Sequence, residues 1–348
     1  MNIAEIDKNF AESYSLEGLK TYDLEQPPFR LFGACRAAGE KDYKRLPHDL
    51  VDRLGNDGVK SLYKNTSGIR LRFKTDSRRI VLSCKLPGFA RLDNMPRTAS
   101  GCFDMYADGH YCKVFRPGAD LSGTYSSEHK FNDRKMRDIL INFPLYNPVD
   151  EVYISLEEDA KILACDDYKQ QKPTVYYGSS ITQGGCASHP GNCYCAILSR
   201  RMDADYINLG FSGSALAEQE MAEYIGGLDM YAFVYDYDHN APSVEYLKQT
   251  HEPFFKRFRQ YQPNTPVIMV SAADIVGNSL EITRQRRNII RTTYENALAA
   301  GDKNVYFIDG SEIYKDVGLD YCTVDCVHPN DLGFLCMANT IGAVLEKL

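Results

Sequence analysis

A short β-type run, Thr174–Tyr177, breaks at Gly178-Ser179-Ser180, crosses a small-residue loop and gives way to a helical pattern from about Asn192. This strand-then-helix succession recurs to the end of the chain. The other strand candidates are Tyr206–Leu209, Tyr231–Tyr235, Val267–Ser271 and Val305–Ile308. Helical patterns lie near Cys193–Met202, Leu216–Ile225, Val244–Gln260 and Ile282–Ala300, and a last helix runs from about Pro329 to Leu348 with Pro329 in its first turn. Such units fold as a parallel sheet covered by helices on both faces.

The first half carries a different pattern. Ile69–Lys74 alternates apolar and basic residues, as a half-buried strand does, and Ile80–Cys84 continues it. Asp108-Gly109 between Cys102–Tyr106 and Tyr111–Phe115 is a hairpin signal. With Ile139–Phe143 and Val152–Leu156, these short strands predict a β-sandwich. The polar stretch Asp166–Pro173 ends in proline and marks the boundary, giving domains at 1–168 and 172–348.

Composition removes several functions. The net charge of −7, with no basic block, disfavours nucleic acid as a partner. No apolar run reaches membrane-spanning length, and the start Met1-Asn2-Ile3-Ala4-Glu5-Ile6-Asp7 lacks the features of a secretory signal. The expectation is a cytoplasmic protein whose 11 cysteines are mostly reduced thiols. Cys193 and Cys195 would point about 200° apart on one helix and cannot chelate together. Cys322, Cys326 and His328 have the chemistry for a metal but no accompanying CxxC pair, so no metal and no cofactor is expected. The 24 tyrosines are read mainly as packing.

Ligands of open α/β sheets bind beyond the carboxyl ends of the strands. After the first strand come Gly178, Ser179 and Ser180; after the second, Asn208-Leu209-Gly210-Phe211-Ser212-Gly213-Ser214; after the third, Asp236-Tyr237-Asp238-His239-Asn240. With the strand order 2-1-3-4-5 these three ends are neighbours. A serine there is a nucleophile only with a base. His328 supplies one, and Asp325, three residues earlier, would fix its tautomer. A glycine N–H and the Asn240 amide are natural donors to an oxyanion. Taken singly, each has a plainer reading: Ser179-Ser180 as a helix N-cap, Asp325–His328 as a surface ion pair, Gly213 as a turn glycine, and Asn240 as the cap of a helix beginning near Ser243.

Together the motifs resemble those of the SGNH (GDSL-type) hydrolases. Gly178-Ser179-Ser180-Ile181-Thr182 resembles the family's Gly-Asp-Ser block, with Ser179 in place of Asp, so Ser180 takes the place of the catalytic serine. Phe211-Ser212-Gly213 resembles the second block and puts an oxyanion N–H on Gly213. His239-Asn240 resembles the third block, although the usual Gly-x-Asn-Asp reads Asp238-His239-Asn240-Ala241 here. Asp325-x-x-His328 matches the last. Gly184-Gly185-Cys186-Ala187-Ser188, Asn208–Gly213, Thr66-Ser67-Gly68 and Phe103-Asp104-Met105-Tyr106 resemble a subgroup with an N-terminal β domain. The resemblance implies an α/β, flavodoxin-like three-layer hydrolase domain preceded by a jelly-roll-like β-sandwich.

It further implies a metal-independent serine esterase. Ser180, His328 and Asp325 form the triad, and Ser180, Gly213 and Asn240 form the oxyanion hole. Ser179, His189 and His239 are candidate substrate-binding residues; His239 is read as a wall of the site, and His189 either contacts substrate or faces solvent. Arg284, Arg286, Arg287 and Arg291 read as a solvated helical face, and Asp274 as a residue that could line the cleft. The implied substrate is a small acyl ester, acetyl first, on a carbohydrate or oligosaccharide. A thioesterase or general short-chain carboxylesterase is the alternative, and a catalytically silent carbohydrate-binding protein is the alternative of another class. Homo-oligomerisation stays open, and no membrane partner is expected.

Overall fold

A computed structural model of the chain describes residues 16–36, 40–118, 123–273 and 280–348. They form two compact units. The first takes residues up to Arg45, Lys64–Asp167 and His189–Gly191; the second takes Leu46–Tyr63, Tyr168–Ser188 and Asn192–Leu348. Asp274 lies outside the described residues. Among those residues, no helix is long and apolar enough to cross a membrane. None of the eleven cysteines forms a disulfide.

The strands of the first unit are β1 (Leu19–Asp23), β2 (Arg30–Phe32), β3 (Arg70–Thr75), β4 (Arg79–Lys85), β5 (Phe103–Ala107), β6 (His110–Phe115), β7 (Thr124–Lys130), β8 (Arg137–Asn142), β9 (Glu151–Glu157) and β10 (Ile162–Leu163). They make two antiparallel sheets, β1-β9-β4-β7 and β10-β3-β8-β5-β6, with β2 added to β3. Ile80, Leu82 and Ile154 of one sheet share a core with Phe73, Met105 and Ile141 of the other. The Asp108-Gly109 hairpin forms because both residues adopt positive φ, 51° and 79°, as a tight turn between twisted strands requires.

One expectation for this unit is corrected. β3 is not half-buried: Arg70 and Arg72 are 1% and 8% exposed. β2 lies beside β3 and brings the Phe32 ring under both guanidinium groups, at 5.5 and 6.0 Å. Arg70 also donates to the Gly68 carbonyl and Arg72 pairs with Asp138. Burial of these arginines is tolerable because they are stacked and hydrogen-bonded.

The second unit opens with α1 (His48–Leu54) and α2 (Asp57–Leu62), two helices not anticipated in a half that reads as β. Leu46, Leu50 and Leu54 at spacing four were the available signal. Then follow β11 (Gln170–Gly178), α3 (Ser180–Gln183), α4 (Tyr194–Met202), β12 (Ala204–Gly210), α5 (Gln219–Gly226), β13 (Ala232–Asp236), α6 (Val244–Tyr261), β14 (Val267–Val270), α7 (Leu280–Ala299), β15 (Val305–Ile308), α8 (Leu319–Cys322) and α9 (Asp331–Leu345). The five strands pair in parallel in the order β12-β11-β13-β14-β15, which is the expected 2-1-3-4-5.

Alternate residues of β11 serve opposite faces of this sheet. Val175 and Tyr177 join the core made with α1, α2, α5, α6 and α7. Tyr176 faces the other way and meets Tyr194 of α4, which in turn stacks with Phe334 of α9. The carboxyl ends of β12, β11 and β13 therefore stand side by side, where the strand order reverses.

Candidate active site

At the end of β11 the chain needs a residue without a side chain. A Cβ on Gly178 would lie 2.1 Å from the Asp236 carbonyl oxygen and 2.2 Å from Thr182 Oγ1. The next residue stops the strand. Ser179 is extended (φ −81°, ψ −164°), and its hydroxyl oxygen accepts the Ile181 N–H at 3.2 Å, so it is the N-cap of α3. Its side chain is wholly buried, which corrects the expectation that Ser179 faces substrate. The cap reading thus applies to Ser179 and leaves Ser180, half-buried at the first helical position, to present its hydroxyl.

The partner motif lies in a tight reversal. Thr323 and Pro329 pair as an antiparallel bridge, the Val324 N–H donates to the His328 carbonyl, and Cys326 turns the chain at φ 66°. Asp325 Oδ1 accepts the N–H groups of Val327 (3.1 Å) and His328 (2.8 Å). This fixes the carboxylate so that Oδ2 meets His328 Nδ1 at 2.7 Å. His328 Nε2 lies 2.9 Å from Ser180 Oγ. An ionised carboxylate only accepts, so Nδ1 carries the proton and Nε2 offers a lone pair to the serine O–H.

Pro329 does not open the last helix. Asn330 is its N-cap and accepts the Leu332 and Gly333 N–H groups, so α9 begins at Asp331. Asp331, which the sequence reading passed over, binds the loop that follows the serine. Its carboxylate accepts Ser188 N–H (2.8 Å), Ser188 Oγ–H (2.5 Å) and Asn192 Nδ2–H (3.0 Å).

The loop after β12 adopts the form that a peptide N–H donor needs. Gly213 has φ +65°, a left-handed conformation that favours glycine, and nothing lies within 4 Å of where a Cβ would be. Its N–H has no acceptor among the described residues. After β13, Asn240 Nδ2 donates to the Phe211 carbonyl at 2.7 Å. A carbonyl only accepts, so this bond fixes which end of the amide is NH2 and leaves its second hydrogen for another acceptor. Asn240 does not cap α6; Ser243 does, accepting the Tyr246 N–H.

Burial shifts two further groups of this segment toward their uncharged forms. Burial raises the Asp236 carboxyl well above the usual carboxylate range; the Asp238 charge adds to this and the Thr182 hydroxyl opposes it. His239 is half-buried, and burial lowers its pKa, with Asp238 opposing and His328 and Arg286 adding. His239 borders an enclosed cavity together with Ile181, Asp236, Ser271 and Val327.

The α7 arginines are not one solvated face. Arg284 is exposed, but Arg287 is buried and pairs with Asp309, as Arg291 does. Arg286 is half-buried and donates to the carbonyls of Asp238 and, at 2.8 Å, Ala241. Cys322 is buried, its thiol pushed up to about 11 by burial and then by Cys336, whereas Cys326 is exposed. Both ring nitrogens of His328 are engaged, Nε2 with Ser180 and Nδ1 with Asp325.

His189 belongs to the first unit. Its Nδ1 meets Asp104 Oδ2 at 2.6 Å, and its ring stacks on Tyr111 at 4.6 Å. Asp104 is fully buried and also accepts the Asn142 side chain and the Gly191 N–H.

Known proteins share this organisation. The GDSL-like lipase/acylhydrolase family model matches residues 171–346, and the model for the N-terminus of SGNH-hydrolase-type esterases matches residues 19–162. No curated protein matches the chain. Among solved structures, a GDSL-like lipase from Bacteroides ovatus ATCC 8483 is 30% identical with a TM-score of 0.84, covering 94% of this chain and 97% of its own. The salicylyl-acyltransferase SsfX3 of a tetracycline biosynthetic pathway is 18% identical with a TM-score of 0.78, covering 95% and 99%. The acetyl xylan esterase Est2A from the rumen bacterium Butyrivibrio proteoclasticus is 13% identical with a TM-score of 0.56, covering 95% and 97%. The last two likenesses are of fold alone.

Proposed function

The chain belongs to the GDSL-like lipase/acylhydrolase family of hydrolytic esterases, and on that premise we propose that it is a serine esterase that removes small acyl groups, acetyl first, from carbohydrates. The observation that carries the reading is the continuous relay from Ser180 Oγ to His328 Nε2 (2.9 Å) and from His328 Nδ1 to Asp325 Oδ2 (2.7 Å).

Ser180 Oγ attacks the acyl carbonyl carbon while its proton passes to His328 Nε2. Asp325 stabilises the imidazolium that forms. The carbonyl oxygen becomes an oxyanion held by the N–H groups of Ser180 and Gly213 and by the second Asn240 Nδ2 hydrogen. The tetrahedral intermediate collapses, the sugar oxygen leaves with the proton from Nε2, and an acyl-Ser180 ester remains. Water then gives its proton to Nε2 and attacks the acyl carbon. Collapse releases the acid and returns the proton to Ser180.

The carbohydrate and acetyl assignments rest on the β-sheet unit that precedes the hydrolase unit and on the acetyl xylan esterase among the structures of like fold. A fluorophosphonate probe should label Ser180, as mapped by peptide mass spectrometry, and Ser180→Ala should lose both label and turnover. Release of acetate from acetylated oligosaccharides should exceed release from nitrophenyl esters of longer acids. Equal or greater activity on the longer esters or on thioesters would make it a general carboxylesterase or thioesterase. Glycan binding that survives Ser180→Ala, with no acyl release from any ester, would make it a binding protein.

A further inference from the structure

We propose that Arg286 is a positioning residue for the oxyanion donor Asn240, holding the turn that carries it by a two-pronged grip on the backbone. Asn240 ends a single 3-10 turn, Asp238–Asn240, between β13 and α6. Such a turn has few hydrogen bonds of its own: here the Asn240 N–H meets the Tyr237 carbonyl and the Ala241 N–H meets the Asp238 carbonyl. Arg286 reaches across from α7 and donates one N–H to the Asp238 carbonyl and another to the Ala241 carbonyl, the two peptide oxygens that bracket Asn240. A guanidinium is a planar fork with fixed donor directions, so two simultaneous bonds fix the spacing and tilt of the backbone between them.

Two other ties converge on the same turn. The Asp238 carboxylate accepts the Ala272 N–H at 2.8 Å, and the Asn240 side chain donates to the Phe211 carbonyl. Neither of these fixes the Ala241 side of the turn, which Arg286 holds. An oxyanion donor is effective only when its N–H is preorganised at the place where charge develops. Loosening the turn should therefore weaken the transition state while leaving substrate binding alone.

The inference rests on the esterase reading above. The experiment compares kcat and KM of wild type, Arg286→Met, Arg286→Lys, Asn240→Ala and the Arg286→Met/Asn240→Ala pair on a short-chain nitrophenyl ester. Hydrogen–deuterium exchange of the peptide spanning residues 237–242 is followed alongside. Asn240→Ala should lower kcat roughly 10²–10³-fold. Arg286→Met should lower it roughly tenfold with KM within about twofold, and Arg286→Lys, which keeps the charge but reaches one carbonyl, should also fall below wild type. The pair should be no slower than Asn240→Ala alone, because Arg286 acts through that amide. Exchange in 237–242 should rise in Arg286→Met while the rest of the chain is unchanged.

Multiplying losses in the pair, wild-type kcat in both Arg286 variants, or unchanged exchange in 237–242 would overturn the proposal. A wild-type protein that cleaves no ester would sink the esterase reading instead, and the exchange result would still decide the grip. If Arg286→Met fails to fold, Arg286→Lys carries the same comparisons.

Discussion

Asp325 spends both carboxylate oxygens within four residues: Oδ1 on the N–H groups of Val327 and His328, Oδ2 on the His328 ring. The first set makes the second rigid. This gives a prediction for Asp325→Asn. An amide can turn either its oxygen or its NH2 toward His328. The two backbone N–H groups compete for the oxygen, which directs the NH2 to Nδ1. The ring then carries its proton on Nε2 and cannot take one from Ser180. Activity should fall roughly 10³–10⁴-fold, with thermal stability nearly kept. Steady-state kinetics beside a melting curve checks this, and a loss of less than tenfold would mean that Asp325 does not set the tautomer. The same scale explains two adjacent serines with different fates: Ser179 caps α3, and the hydroxyl of its neighbour Ser180 lies 2.9 Å from His328 Nε2.

At the scale of elements, the site depends on how closely strand ends approach. The end of β11 passes so near β13 and α3 that a Cβ at Gly178 would meet two atoms at about 2 Å, one of them backbone. Gly178→Ala must push β11 from β13 or displace α3 and Ser180 with it. We expect a cost of about 3 kcal/mol or more, a fall in melting temperature on the order of 10 °C, and loss of fluorophosphonate labelling at Ser180. A variant that melts and labels like wild type would show that the strand end relaxes freely. The strand ends were legible in the sequence because Gly-Ser-Ser and Gly-Phe-Ser-Gly are local patterns at the ends of apolar runs, and Asp-x-x-His was legible as a short local motif before the last helix. Features made by contacts distant in sequence were not. Arg286 lies 45 positions from the Ala241 carbonyl it holds, and on a helical wheel it looks like any exposed arginine. The helices α1 and α2 were missed because they interrupt a run of strands and pack with a core formed mostly by residues after 168. Pro329 looked like a first-turn proline, but Asn330 offers two hydrogen bonds as a cap, and a cap with partners outweighs a favourable φ.

At the scale of the whole molecule, the sequence has 24 tyrosines and no tryptophan, and the second unit uses tyrosines where an apolar ring would be the usual choice. Tyr177, Tyr235 and Tyr237 are buried; Tyr177 and Tyr235 stack with Phe254 and Tyr237 stacks with Tyr235, and each hydroxyl has a partner: Ala217 N–H for Tyr177, the His251 carbonyl for Tyr235, Thr250 for Tyr237. His251 is built into this stack, 4.5 Å from Tyr235 and 5.9 Å from Tyr237, with Nδ1 on the Thr293 hydroxyl. Burial without a charged partner drives its pKa down to about 3. The unfolded chain binds this proton near pH 6.5 and the folded protein only near 3, so the unfolded state gains protons first as the solution is acidified. The contribution of His251 to stability is therefore complete above about pH 6.5, declines as pH falls, and levels off near 3. Asp236 has the opposite sign, because its raised folded-state pKa costs stability as pH rises above the ordinary carboxylate value. The two are separated by His251→Phe, which keeps the ring stack, removes the imidazole and leaves Asp236 in place. Urea unfolding of both proteins at pH 7, 6, 5 and 4 should give a stability difference that shifts in favour of the phenylalanine variant by about 1.4 kcal/mol per pH unit below 6. A difference that stays constant across that range would mean that His251 takes up a proton inside the folded protein as readily as it does in the unfolded chain.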